Sequence, residues 1–118
     1  MPVRSLSSSV IKWPEARTVD TAVRRWAAAV GRARPEVVRI GYIGSYARGD
    51  WGVGSDVDLL VIVTRWEGDA LVRAAAFDTT QLPVPADVFV YTVEEWDAMA
   101  STGRFRRQAE RDAVWVYP

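Results

Sequence analysis

Between Val19 and Val30, apolar residues recur every three to four positions (Val19, Ala22, Val23, Trp26, Ala27, Val30) with arginines between them. That period lines one stripe of a helix and predicts an amphipathic helix over 18–34, with Gly31 and Pro35 as stop signals. The pattern then changes. Residues 37–43 (VVRIGYI) are rich in β-branched side chains and read as a strand. Residues 44–55 hold glycines at 44, 49, 52 and 54 and must turn. Residues 57–63 (VDLLVIV) are apolar everywhere except Asp58, which predicts a strand buried on both faces. After a turn at 67–69, residues 70–77 read as helix, ending before Pro83 and Pro85, and 87–92 (DVFVYT) as a third strand. Thr92-Val93-Glu94-Glu95 has the form of a capping box and opens a helix to about Ala100. A short helix carrying Arg104, Arg106, Arg107 and Arg111 leads to a last strand, VWVY at 114–117. Residues 1–14 are polar and serine-rich, with a small apolar patch at Val10, Ile11 and Trp13, and read as a loosely held arm. The order α-β-α-β-α-β-α-α-β predicts a small α/β (α+β) domain, a mixed sheet with helices packed on it.

Composition narrows the chemistry. The 118 residues, 49% hydrophobic and 25% charged, make one domain's worth of foldable chain. There is no cysteine and no histidine. That excludes a disulfide framework, a thiolate nucleophile, a Cys/His zinc site, an imidazole base and a Ser-His-Asp triad. Catalysis must rest on carboxylates, hydroxyls, arginine, backbone amides and a hard metal on oxygen ligands. Fifteen basic and fifteen acidic side chains give a formal charge of zero, which argues against a mainly electrostatic nucleic-acid binder. No apolar run approaches the ~18 residues of a membrane span, and the first fourteen residues lack the apolar region of a signal peptide. The expectation is a cytoplasmic protein.

The chemistry concentrates in one segment, GYIGSYARGDWGVGSDVDL at 41–59. Gly44-Ser45 follows a strand and begins a turn or short helix, where the backbone can approach a ligand and amides favour phosphate. Ser45 adds a hydroxyl, and Arg48, one helical turn later, a planar charge that clamps phosphate. Asp56 and Asp58 stand two apart at the start of a strand, on one face and roughly 6.6 Å apart at Cα. They repel each other unless a cation lies between them, and Mg²⁺ is the natural one beside phosphates. A phosphate cradle next to paired carboxylates equips a protein for metal-assisted phosphoryl transfer.

Gly44-Ser45, ten residues (46–55), then Asp56-x-Asp58, with Ala47, Arg48, Gly49, Ser55 and Leu59 completing the longer GSxARG…SDxDL form, resembles the nucleotidyltransferase superfamily of DNA polymerase β. The likeness is to its minimal nucleotidyltransferases in particular, close over 37–63 and looser to 92. It implies a polymerase β palm-like fold, with residues 1–17 as an N-terminal arm ahead of a nucleotidyltransferase domain at 18–118. It implies that Gly44, Ser45 and Arg48 hold the phosphates of ATP or another nucleoside triphosphate. Asp56 and Asp58 would bind Mg²⁺ in a two-metal site. A third acid on a later strand, matched by Asp87, would bind metal and serve or assist the catalytic base. The implied activity is transfer of a nucleoside monophosphate, AMP from ATP first, to a hydroxyl. The elements above leave no segment to grip an acceptor, so the acceptor comes from a second protein or a homodimer groove. Minimal nucleotidyltransferases often pair with a helical HEPN toxin and act as antitoxin by moving AMP onto a partner tyrosine. Neither a membrane nor nucleic acid is an expected partner. Two other readings compete: a catalytically idle module of this fold that masks a partner, and a small-molecule, aminoglycoside-type nucleotidyltransferase.

The remaining residues have plainer readings. Asp78, Glu94 and Glu95 read as loop or helix-start acids, and Asp50 as a solvated turn residue. Arg24, Arg25, Arg32 and Arg34 read as a wet helix face, and so does the group Arg104, Arg106, Arg107 and Arg111, with a nucleic-acid or partner contact as the alternative. Trp51 reads as loop packing, with stacking on a nucleobase as the alternative.

Overall fold

The computed structural model describes residues 13–99 and 103–118. The serine-rich stretch with Val10 and Ile11, and the helix end expected at Ala100, lie outside the described residues. The elements are α1 (Ala16–Ala33), β1 (Val37–Ile43), the single turn α2 (Ser45–Arg48), β2 (Val57–Val63), α3 (Ala70–Arg73) running into a 3-10 turn (Ala74–Ala76), β3 (Ala86–Thr92), α4 (Val93–Ala98), α5 (Arg104–Asp112) and β4 (Val114–Tyr117). The predicted α/β class and mixed sheet are what forms. Strand order is β3-β2-β1-β4; β1 is antiparallel to β2 and β4, and β2 is parallel to β3.

Alternation along β2 explains its burial on both faces. Val57, Leu59, Val61 and Val63 join Val19, Val23, Trp26 and Ala27 of α1 in one core. Leu60 and Ile62 join Trp96 of α4 and Ala109 of α5 in a second core on the other face. Period two therefore puts Asp58 on the α4/α5 face. The second core is tied by stacked cations and rings. The Arg106 guanidinium lies 4.2 Å from the Trp96 ring centre and donates to the Trp96 carbonyl. Trp96 meets Trp115 edge-on at 6.4 Å, and Arg39 lies 3.6 Å from the Trp115 ring centre. Of the arginines expected on a wet face, Arg104, Arg107 and Arg111 are exposed, whereas Arg106 is packed against Trp96.

Three expectations change in detail. Helix α1 begins two residues before position 18 and continues through Gly31. The Tyr117 ring occupies the space a Gly31 side chain would need, so this glycine seats β4 against the helix rather than ending it. Arg34 is no wet residue: it lies over the Phe77 and Trp66 rings at 4.8 and 5.3 Å and donates to Glu36 and to the Ala76 carbonyl. The helix predicted over 70–77 tightens into the 3-10 turn, after which Phe77 extends and turns its ring into the α1-side core beside Trp26. No helix among the described residues is long and apolar enough to cross a membrane.

Glu95 has a structural task. Thr92 and Glu95 form the predicted capping box, with Thr92 Oγ1 accepting from the Glu95 N–H at 3.1 Å and Glu95 accepting from the Thr92 N–H at 2.9 Å. The same carboxylate receives both terminal nitrogens of the buried Arg73, at 2.5 and 3.1 Å. The Arg73 bonds, then the Thr92 amide, hold the Glu95 carboxyl below its ordinary range. A depressed carboxylate contributes stability that is present above its unfolded pKa and is lost as pH falls through the folded one. Glu95→Gln keeps the cap and removes the charge. It is expected to cost about 1.5 kcal/mol at neutral pH, the low end for a charged hydrogen-bonded pair because the Glu95 side chain is 42% exposed. Thermal melts of both proteins from pH 7 into the acid range should converge once wild-type Glu95 is protonated. A gap independent of pH would assign the loss to packing instead.

Candidate active site

Pairing register assembles the site. Asp58 faces Asp87 across the parallel β2–β3 ladder and Ile43 across the antiparallel β1–β2 ladder. In-register neighbours on adjacent strands share a face, so the carboxylates of Asp58 and Asp87 stand side by side on the α4/α5 side. Asp56, one residue ahead of β2, is exposed but acts electrostatically on Asp58. Burial, then the charges of Asp87 and Asp56, push the Asp58 carboxyl above its usual range, against the pull of Arg48.

Gly44 follows β1 at φ +82° and ψ −154°, a region open essentially to glycine alone. A Cβ there would collide with Asp58 Oδ2. The absent side chain is thus the space that the Asp58 carboxylate uses. Ser45 then opens the single turn of α2, which Gly49 closes in the left-handed conformation. Arg48, at the end of that turn, is paired only loosely with Asp50, at 3.2 Å between exposed side chains. Such a pair is worth about 0–1 kcal/mol, so Arg48 can turn to a phosphate at little cost.

The glycine turn is anchored on the opposite side of the sheet. Tyr46 is buried, its hydroxyl accepting from Trp13 Nε1 at 2.8 Å. The Trp51 ring stacks on Tyr46 at 5.3 Å and 10°, against the α1-side core. Trp51 is therefore a loop anchor, as its plainer reading had it. Just before Asp56, Gly52 and Ser55 exchange hydrogen bonds, and the Val57 N–H reaches the Pro85 carbonyl at 2.9 Å, fixing the start of β2 beside that of β3. Asp78 bonds Thr80 in its own loop and Glu95 holds Arg73, so neither joins the carboxylate face.

A cleft of about 200 Å³ opens on this face. Gly44, Arg48 and Asp58 line one side, and Phe105, Gln108, Ala109 and Asp112 of α5 the other. Ser45, Asp56 and Asp87 are not among the residues that line it. The α5 wall escaped the sequence reading because its arginines mark the helix as solvated. Its signal was the spacing 105, 108, 109, 112, one face of a helix. A larger groove, about 440 Å³, lies between α1 and residues 76–82, on the face away from Asp58, and holds none of the predicted site residues.

The donor set suits a hard divalent cation: burial, then the neighbouring carboxylates, raises the proton affinity of Asp58, and a cation would relieve the repulsion among these oxygens. Among the described residues no three acidic side chains converge to the distances of a closed metal cage.

No curated protein matches the chain at a significant level. Among solved structures, the "putative nucleotidyltransferase from Sulfolobus solfataricus" shares the fold at a TM-score of 0.61 and 21% identity, over 85% of this chain and 80% of that one. A structure described as "the toxin-antitoxin with AMP-PNP" aligns at a TM-score of 0.50 and 18% identity, over 80% of this chain and 72% of that one. The family model of the nucleotidyltransferase domain matches residues 23–116, from the middle of α1 into β4, and so spans every strand and the whole carboxylate face. The chain belongs to the nucleotidyltransferase domain family and is a transferase of that kind.

Proposed function

We propose that this chain moves AMP from ATP to a hydroxyl on a partner protein, in a Mg²⁺-dependent reaction, as the antitoxin of a minimal nucleotidyltransferase/HEPN-type pair. The carrying observation is the register that sets Asp87 beside Asp58 on the face where the Gly44 turn and Arg48 open onto the cleft. The likeness in fold to a toxin-antitoxin structure with AMP-PNP supports the nucleotide and the partner.

Each residue has a task in this reading. Ser45 donates its hydroxyl to a phosphate oxygen, and Arg48 leaves Asp50 to fork onto the triphosphate. Asp56, Asp58 and Asp87 would hold Mg²⁺, which when bound supplies charge neutralisation along the phosphates. The acceptor oxygen attacks the α-phosphorus, the bond to the β-phosphate oxygen breaks, and pyrophosphate leaves. Asp87 accepts or steers the hydroxyl proton. Orienting that hydroxyl is worth about 7–11 kcal/mol, so the protein alone should turn over little until its acceptor docks.

The test is intact-protein mass spectrometry of the product of the neighbouring gene, mixed with this protein, ATP and Mg²⁺. The partner should gain the mass of AMP with wild type and not with the Asp56→Asn/Asp58→Asn double variant. A tight complex without added mass would favour the idle, masking reading. Rapid nucleotide transfer to a free small molecule by this protein alone would overturn both.

A further inference from the structure

The two sides of the cleft differ in chemistry. Gly44, Arg48 and Asp58 form a polar side that carries one cationic and one anionic group, suited to phosphates that arrive with a cation. The α5 side combines apolar surface with acceptor groups. Ala109 is 2% exposed and locked into the second core, and Phe105 is held against Phe89 and Tyr91 at 6.1 and 5.9 Å. Gln108 and Asp112, on the same helix face, also line the cleft. The Asp112 side chain is only 16% exposed, and its ion pair with the 71%-exposed Arg111 is long, at 3.7 Å. That separation is beyond a hydrogen bond, so the carboxylate keeps acceptor capacity for a ligand.

A triphosphate would be repelled by Asp112 and would gain nothing from Phe105 or Ala109. The remaining part of a nucleotide that suits this wall is flat, uncharged and rich in N–H groups. At about 200 Å³ the cleft is below the usual range for a whole ligand, so a nucleotide would enter it only in part, its base against α5 and its phosphates toward the Gly44 turn. We propose that the α5 wall is the nucleobase subsite, with Asp112 accepting from the exocyclic amino group of the base and Gln108 donating to an acceptor atom beside it. This rests on the phosphate-side reading of Gly44 and Arg48 given above. Adenine, cytosine and guanine each offer an amino group and an acceptor. Uracil has no exocyclic amino group; its single Watson–Crick-edge donor, N3–H, is flanked by two carbonyl oxygens that the Asp112 carboxylate repels. The subsite therefore selects against uracil, and this selectivity resides in α5, outside the Gly-Ser/Asp-x-Asp segment.

Calorimetric titration of the full chain with the Mg²⁺ complexes of ATP, UTP and inorganic tripolyphosphate separates the possibilities. Wild type should bind ATP about tenfold more tightly than UTP, the worth of one well-placed base contact. Asp112→Asn, whose amide can both donate and accept, should bring ATP and UTP to within roughly threefold by the same arithmetic, with tripolyphosphate affinity unchanged. Gln108→Ala, on an exposed helix position, should weaken ATP and spare tripolyphosphate. If wild type binds all three ligands equally, the base subsite falls and the phosphate platform stands. If Asp112→Asn alters tripolyphosphate as much as ATP, Asp112 acts on metal or phosphate and the proposal is overturned. If none of the three binds, the proposed function fails with it.

Discussion

Asp58→Asn is expected to abolish nucleotidyl transfer, by roughly a thousandfold or more, while leaving the melting temperature unchanged or raising it. Such a loss corresponds to ~4 kcal/mol of transition-state stabilisation, within what a metal-holding carboxylate supplies. The stability arm follows from the electrostatics. Burial and the neighbouring Asp87 and Asp56 charges disfavour the ionised Asp58, so a neutral isostere relieves repulsion that the folded protein otherwise carries. A group required for activity yet unfavourable for folding is placed for function. Transfer read by intact mass, beside calorimetric melts of both proteins, checks the two arms together. A variant that keeps its activity removes Asp58 from the chemistry. One that loses both activity and stability marks Asp58 as structural.

Gly44→Ala should cost about 1–3 kcal/mol for a side chain at this positive φ and reduce transfer on the order of a hundredfold. The second effect has a separate cause. The new methyl group would occupy the position of Asp58 Oδ2, and displacing a reacting constellation by about 1 Å can cost a hundredfold. Gly52→Ala is the internal control: it lies in the same turn, and a Cβ there meets nothing within 4 Å. Equal behaviour of the two variants in melts and transfer assays would refute the idea that Gly44 makes room for Asp58.

The strands were legible because each is a short apolar run bounded by turn residues, and β2 declares both its buried faces by lacking polar positions other than Asp58. The family of the domain was legible for a related reason: its signature is contiguous, with Gly44 to Asp58 spanning one turn and one strand start. What the chain did not disclose depends on contacts between distant segments. Nothing near Gly31 announces the Tyr117 ring that makes a glycine necessary inside α1. Glu95 reads as a helix-start acid, and its second partner, Arg73, lies 22 residues earlier. The α5 wall was hidden by composition. Four arginines mark a wet helix, and only the fold shows Arg106 against Trp96 while Phe105, Gln108 and Asp112 face the cleft.

The two sides of the cleft are built from different kinds of interaction. Asp58 and Asp87 are held by a backbone ladder, whose register cannot shift by one residue without turning the faces of the slipped strand inside out. The helix opposite is held against the sheet face chiefly by side chains, Arg106 on Trp96 and Ala109 in its core. Gln108 and Asp112, which face the cleft from that helix, can therefore change one at a time without disturbing the register on which the strand-borne carboxylates depend.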